Sequence, residues 1–360
     1  MPEATQNRNN IDAAKSWLVR NTLTVLVGVL ALLVVFLTSR SNGLLLEPME
    51  TQNVVRLLLI GTFFILLVWG HHDTYTLFQV TNSVLVPITV VLILGYIWFD
   101  AWGADELSRE DRVIEDFSFL FPIAGSACLA LVASLMVRRR AFRTGLLAGL
   151  GAITFFVIAM EEISWFQRVL DLETAEFFAN LNDQGEANFH NVYTHESEDI
   201  YYLGGFLLLV MLPYFREHLG RFLDRIGWTS ARVLLPPLWL IPPFVLAGAF
   251  VSQGFVSRAA NVTFVLGSIV ILIALIQKHT KAREWGRAAQ SVVSLVIMVT
   301  AIVMLLGIDF TSQGVRPWIG KEYQEFYIAW GIFAYGVSVI FQMLEHDRAE
   351  VQAEIARESS

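Results

Sequence analysis

The sequence predicts an all-α protein, a polytopic bundle of about ten transmembrane helices, and three observations predict it. Of 360 residues, 55% are hydrophobic and 16% charged, and the mean hydropathy is +0.55. That is too apolar and too weakly charged for an ordinary soluble protein of this size. The apolar residues gather into runs, each near the ~20 residues a helix needs to cross a bilayer. The connections between runs alternate in sign, basic then acidic, as expected of a chain that crosses a membrane repeatedly.

Residues 1–21 are polar and carry Arg8, Lys15 and Arg20. The first apolar run, about Thr22 to Thr38, reads as a retained span, because Ser39-Arg40-Ser41-Asn42 follows it instead of a small-residue cleavage site. Further runs centre on 54–70, 80–99, 117–137, 144–160, 200–215, 233–251, 262–277, 291–307 and 325–344. Three alternate connections are basic: Arg138-Arg139-Arg140 with Arg143, Arg216 with Arg221 and Arg225, and Lys278 with Lys281, Arg283 and Arg287. The other set includes an acidic loop with Asp105, Glu106, Glu110, Asp111, Glu115 and Asp116, and also the stretch 161–199. With ten spans, the basic loops and both termini fall in the cytoplasm and the acidic loops outside. The expected organisation is a cytoplasmic tail 1–21, a membrane domain 22–344 with a long outer loop 161–199, and a cytoplasmic tail 345–360 that extends the last helix.

Two features shape the bundle. Pro236-Pro237 and Pro242-Pro243 fall inside the seventh run, where each ring removes a backbone donor, so that span should be kinked or broken. Gly145, Gly149 and Gly151 in the fifth run permit close approach of another helix. The net charge of −8 argues against a nucleic-acid partner, which needs a basic surface. Cys128 is the single cysteine and lies in an apolar run, so no internal disulfide is possible.

The chemistry concentrates between residues 161 and 195. Glu161-Glu162-Ile163-Ser164-Trp165-Phe166-Gln167-Arg168 follows the fifth span, placing adjacent carboxylates where the helix meets the interface, a costly position for charge. If that helix continues, Glu161, Ser164, Trp165 and Arg168 share a face. Arg168 suits phosphate or carboxylate, and Trp165 suits either interfacial anchoring or stacking on a ligand. The polar run 182–191 presents Asn182, Gln184, Glu186, Asn188 and His190 at alternate positions, one side of an extended segment, and ends at Asn191. Between the two lies a short apolar face of Phe177, Phe178 and Leu181, suited to an interfacial or re-entrant helix that folds the loop back over the bundle. The expected catalytic groups are Glu161, Glu162 and His190. Trp165, Gln167, Arg168, Asn182, Gln184, Asn188 and Asn191 are expected to bind substrate. A divalent metal held by Glu186, His190 and His195 is a minority alternative, since no zinc or calcium motif is present. The structural alternative is a hydrogen-bonded loop that caps the bundle without catalysing anything. Asp309, Arg316, Trp318 and Lys321 would join the outer site if packing brings them there.

The phrase Glu161-Glu162-Ile163-Ser164-Trp165-x-Gln167-Arg168, followed by Asn182-x-Gln184-x-Glu186-x-Asn188-x-His190-Asn191, resembles a two-part signature of uncharacterised bacterial polytopic membrane proteins. The segment Arg109 to Glu115 is more loosely similar to an acidic element in those proteins, with Arg112 where glycine is expected. The resemblance implies a bacterial inner-membrane protein and carries no reaction with it. Three functions remain open. The first is an outer-face enzyme acting on a lipid head group or lipid-linked substrate by acid/base or metal-assisted chemistry. Fold-C glycosyltransferases offer an analogy here, although the first outer loop, with only Glu47 and Glu50, is shorter than theirs. The second is a transporter or channel whose outer vestibule holds the same residues. The third is a noncatalytic membrane scaffold.

Overall fold

The computed structural model describes residues 74–109, 112–166, 194–250 and 258–359, and every regular element among them is helical. The tail 1–21 and the runs at 22–38 and 54–70 lie outside the described residues, as do 167–193 of the long loop.

In chain order the helices are α1 (Thr74–Phe99), α2 (Ala101–Leu107), α3 (Val113–Arg138), α4 (Phe142–Glu162), α5 (Thr194–Phe206), α6 (Arg216–Arg225), α7 (Ala259–Lys281), α8 (Trp285–Leu306) and α9 (Ile319–Ser359). Seven stretches are long and apolar enough to cross a membrane: Phe78–Phe99, Ile114–Arg138, Phe142–Glu162, Thr229–Ala249, Ala259–Lys281, Trp285–Leu306 and Ile319–Asp347. They correspond to seven of the predicted runs. The predicted run at 200–215 differs, because α5 passes through a π-helical turn at Leu207–Met211 just ahead of Pro213, which has no N–H to continue the ladder. The chain then bends by 76° into the polar helix α6, making a broken eighth candidate.

Exposed apolar stripes show which faces meet lipid. Val80, Val84, Ile88 and Val91 line one side of α1, and Leu146, Leu150 and Ile153 one side of α4. Such stripes would be a liability in water and are the expected outer surface in a bilayer. The chain is therefore a multi-pass helical membrane protein. Its hub is α9, whose apolar window is 89% buried, against 28% for α1 and for α8. Gly125 on α3 and Gly336 on α9 meet at backbone contact, since a Cβ on Gly336 would lie 2.9 Å from the Gly125 Cα. The α3–α4 pair is equally close: a Cβ on Gly145 would come within 3.2 Å of the Ala133 carbonyl, and Ser126 Oγ donates to the Ala152 carbonyl at 2.7 Å. Polar bonds fix the register of α1 against α9, with Trp330 Nε1 donating to Asn82 Oδ1 at 2.9 Å and Tyr327 hydroxyl to Thr89 Oγ1 at 3.0 Å.

The double-proline stretch is broken, as its sequence requires. It runs as a 3-10 segment (Thr229–Leu234), an extended step at Leu235 to Pro237, a 3-10 turn (Leu238–Leu240), one α-turn (Ile241–Phe244) and a further 3-10 segment (Val245–Ala249). Carbonyls that the break leaves without helical partners are taken up by side chains. Tyr335 donates to the Leu234 carbonyl at 2.8 Å, and Arg216 Nη1 donates to that of Leu235. The far end reaches α9, where Phe250 stacks on Tyr323 and Tyr327.

The two ends of the bundle differ in charge. One carries α2 and the facing termini of α3, α4, α5 and α9, and is rich in carboxylates. At the opposite, basic end, Arg139 pairs with Asp347 and Lys278 with Glu217.

Candidate functional site

Helix α4 ends at Glu162, and the chain then leaves helical geometry. Ser164 (φ 48°) and Trp165 (φ 54°) are consecutive left-handed residues, neither of them glycine. Such residues are sterically costly and persist only where the surroundings hold them. This corrects the expectation that Glu161, Ser164 and Trp165 share a face of a continuing helix. The turn nevertheless brings Trp165 back onto its own helix: Nε1 donates to Glu161 Oε1 at 2.7 Å, and the ring packs edge-on against Phe156. Trp165 is 41% exposed, the setting of an interfacial anchor.

The elbow sends the two adjacent carboxylates to different neighbours. Glu161 serves Trp165, whereas Glu162 lies within electrostatic range of Glu325, Glu115, Glu322 and Lys321. These come from three helices: Glu115 from the first turn of α3, Glu162 from the last of α4, and Lys321, Glu322 and Glu325 from the start of α9. α5 adds two phenols. Tyr202 hydroxyl donates to Glu325 Oε1 at 2.8 Å, and Tyr201 hydroxyl to the Glu325 backbone carbonyl at 3.2 Å.

Two flanking carboxylates are matched by cations. Glu198, 1% exposed, pairs with both Arg258 and Lys321. Asp105, fully buried, accepts from Arg316 Nε at 2.6 Å and pairs with Arg109 at 3.1 Å, while Arg316 Nη2 also donates to Ser108 Oγ at 2.9 Å. Arg316 reaches on to Glu322 at 3.6 Å. Among the described residues no cation pairs with Glu325, which is 8% exposed and takes the Tyr202 hydroxyl instead. Asp199 Oδ1 and Gln324 Nε2 are buried with no hydrogen-bond partner among the described residues, so polar capacity remains at this end.

A phenol donating to a buried carboxylate, ringed by partly exposed carboxylates, is equipped to exchange protons with a ligand or to hold a cationic group. Arg316 and Lys321, named from the sequence as conditional members, belong to this end of the bundle. Asp309 is engaged locally: Thr311 Oγ1 donates to it at 2.7 Å and the Ser312 N–H at 3.3 Å, and these bonds hold its carboxyl below the usual carboxylate range. Trp318 is exposed beside the cluster.

Of the other predicted site residues, Gln167, Arg168, Asn182, Gln184, Glu186, Asn188, His190 and Asn191 lie outside the described residues. His195 falls in the first turn of α5. Among the described residues no three His, Cys, Asp or Glu side chains are arranged around one ion.

Sequence reasoning missed Glu198, Tyr201, Tyr202, Arg258, Glu322 and Glu325. A signal was present, because Glu198 and Asp199 immediately precede one apolar run, and Glu322 and Glu325 sit three apart at the start of another, all on the side assigned to Glu162. Searches among protein families, curated proteins and solved structures find nothing that matches this chain.

Proposed function

We propose that the acidic end is an outer-face site at which this membrane protein carries out acid/base chemistry on a lipid head group or lipid-linked substrate. The observation that carries the reading is the convergence of Glu162 on Glu325, itself hydrogen-bonded to Tyr202, where the spans reach the acidic end of the bundle. A site there meets a substrate anchored in the same bilayer, with Trp165 and Trp318 exposed at head-group depth. Glu325 and Tyr202 form the proton-exchanging pair, Glu162 is the second carboxylate, and Lys321 and Arg316 are the cations nearest a substrate phosphate. His190, Arg168 and the polar run 182–191, assigned to the same site from the sequence, lie outside the described residues. The topology that goes with it has ten spans and both termini in the cytoplasm. Reporter fusions after residues 140 and 283 should then read as cytoplasmic and one after residue 190 as external.

The test is the lipid that accompanies the purified protein. Glu162→Gln and Glu325→Gln keep the shape but lose the exchangeable charge, and should alter or remove a lipid that co-purifies with the wild type. Variants that melt early and still carry the same lipid would assign these carboxylates to structure alone.

One observation favours transport as a second reading. The broken span runs through the bundle from Leu235, capped by Arg216, to Phe250, stacked on Tyr323 next to Glu322. Broken spans of this kind line substrate paths in transporters. Flux of a small ion or metabolite into proteoliposomes, lost in Glu325→Gln, would support it over the enzyme.

A further inference from the structure

At the opposite end of the bundle a cavity of about 470 Å³ opens beside the double-proline break. Its polar lining is chiefly Tyr75, Arg216, Arg232, Gln342, Glu345 and His346. Two guanidinium groups therefore meet in one cleft, close enough to act on each other electrostatically. Like charges converge at a cost unless an anion lies between them.

The local structure explains how each arginine is held. Arg216 begins α6, where the chain has just turned by 76°, and its Nη1 and Nη2 donate to the Leu235 carbonyl and Gln342 Oε1. Gln342 also donates to the Leu235 carbonyl at 3.4 Å, so the broken span, α6 and α9 are tied at one point. Arg232 lies flat against the bare Cα of Gly220, where a Cβ would come within 3.2 Å of its Nε and 3.3 Å of its Nη2. Its Nη1 pairs with Asp224 at 2.9 Å. Tyr75 hydroxyl accepts from Trp239 Nε1 at 3.2 Å, which leaves the phenol hydrogen to donate elsewhere. Glu345, the one carboxylate in the lining, is exposed.

We propose that this cavity binds a phosphate ester. Planar, permanently charged guanidinium forks match phosphate oxygens, and Tyr75 and Thr229 add neutral donors to the same lining. The volume falls within the range of small-molecule sites and exceeds what a bare phosphate fills, so the ligand carries an organic group. The setting suits an anion, since the loops at this end carry the excess of arginine and lysine. A phospholipid head group and a soluble phosphate ester share this chemistry. The cavity is separate from the acidic end, and its ligand does not depend on the chemistry assigned there.

The test uses the full chain purified in a neutral detergent, with glycerol 3-phosphate as soluble probe and phosphatidylglycerol nanodiscs, against phosphatidylcholine nanodiscs, as lipid probe. Saturable binding or a rise in melting temperature is expected with at least one probe, and which one responds identifies the source. Arg232→Gln should weaken it roughly tenfold, the loss of one charge-assisted contact. Gly220→Leu, which displaces the guanidinium, should also weaken binding. Asp224→Asn removes the competing carboxylate and should bind at least as tightly as the wild type. Arg232→Lys keeps a charge opposite Asp224 and loses the fork; if Arg232→Gln does not fold, weakening by this variant counts the same way. The proposal is overturned if neither probe binds the wild type saturably, or if the Arg232 variants bind as tightly as the wild type.

Discussion

The acidic and basic ends of the bundle hold charge in opposite ways. At the basic end, away from the Arg216–Arg232 cavity, charges are matched locally near the surface: Arg139 with Asp347, Lys278 with Glu217, and Glu284 with Arg287 and His279. Glu284 is typical, its carboxyl held below the usual range by a hydrogen bond from His279 at 2.6 Å and by Arg287. At the acidic end carboxylates are drawn inward. Asp105 and Glu198 each engage two cations in the interior, and Glu162, Glu322 and Glu325 lie within range of one another. Surface pairs contribute little and tolerate change, whereas buried charges are costly unless matched. A cluster of like charges is weak material for stability, which is why the acidic end reads as a site, whereas the surface pairs of the basic end outside the Arg216–Arg232 cavity read as solvation.

Substitutions can break this contrast. The largest effect is expected at Asp105, where Asp105→Ala removes the fully buried partner of Arg316 and should lower stability by about 3 kcal/mol, read as a fall in melting temperature in detergent. A loss below about 1 kcal/mol would mean that the interior pairs behave like surface ones. The next concerns backbone strain. Arg283 is exposed and left-handed (φ 58°) in the α7–α8 turn, so Arg283→Gly should raise stability by about 1 kcal/mol. The smallest is Arg139→Ala, whose pair with Asp347 is partly exposed on both sides and should cost about 0–1 kcal/mol. A loss at Arg139 as large as that at Asp105 would erase the difference between the ends.

The spans were legible because hydropathy is a local property: each described predicted run lies on a helical stretch, and Pro236-Pro237 announced the break at Leu235. The π-turn and 76° bend after α5 were not, because apolar content alone says nothing about helix continuity. The site was half legible. Glu162 stood out beside Glu161, but nothing local revealed that a left-handed elbow at Ser164 and Trp165 would separate them. Glu322 and Glu325 escaped notice because the predicted last span began at 325, whereas α9 begins at Ile319 and carries both into the bundle on its first turns. Partners more than a hundred residues apart, such as Tyr202 and Glu325, are set by packing, which hydropathy does not encode.

If Glu162 and Glu325 belong to one site, their substitutions are coupled, and a double-mutant cycle detects it. Glu162→Gln, Glu325→Gln and the double variant would be purified in the same detergent and their unfolding free energies compared. Carboxylates that share a site should show a coupling energy of about 0.5–3 kcal/mol, the range found for residues in one network. Effects that sum to within about 0.3 kcal/mol would place the two in separate environments and contradict the account.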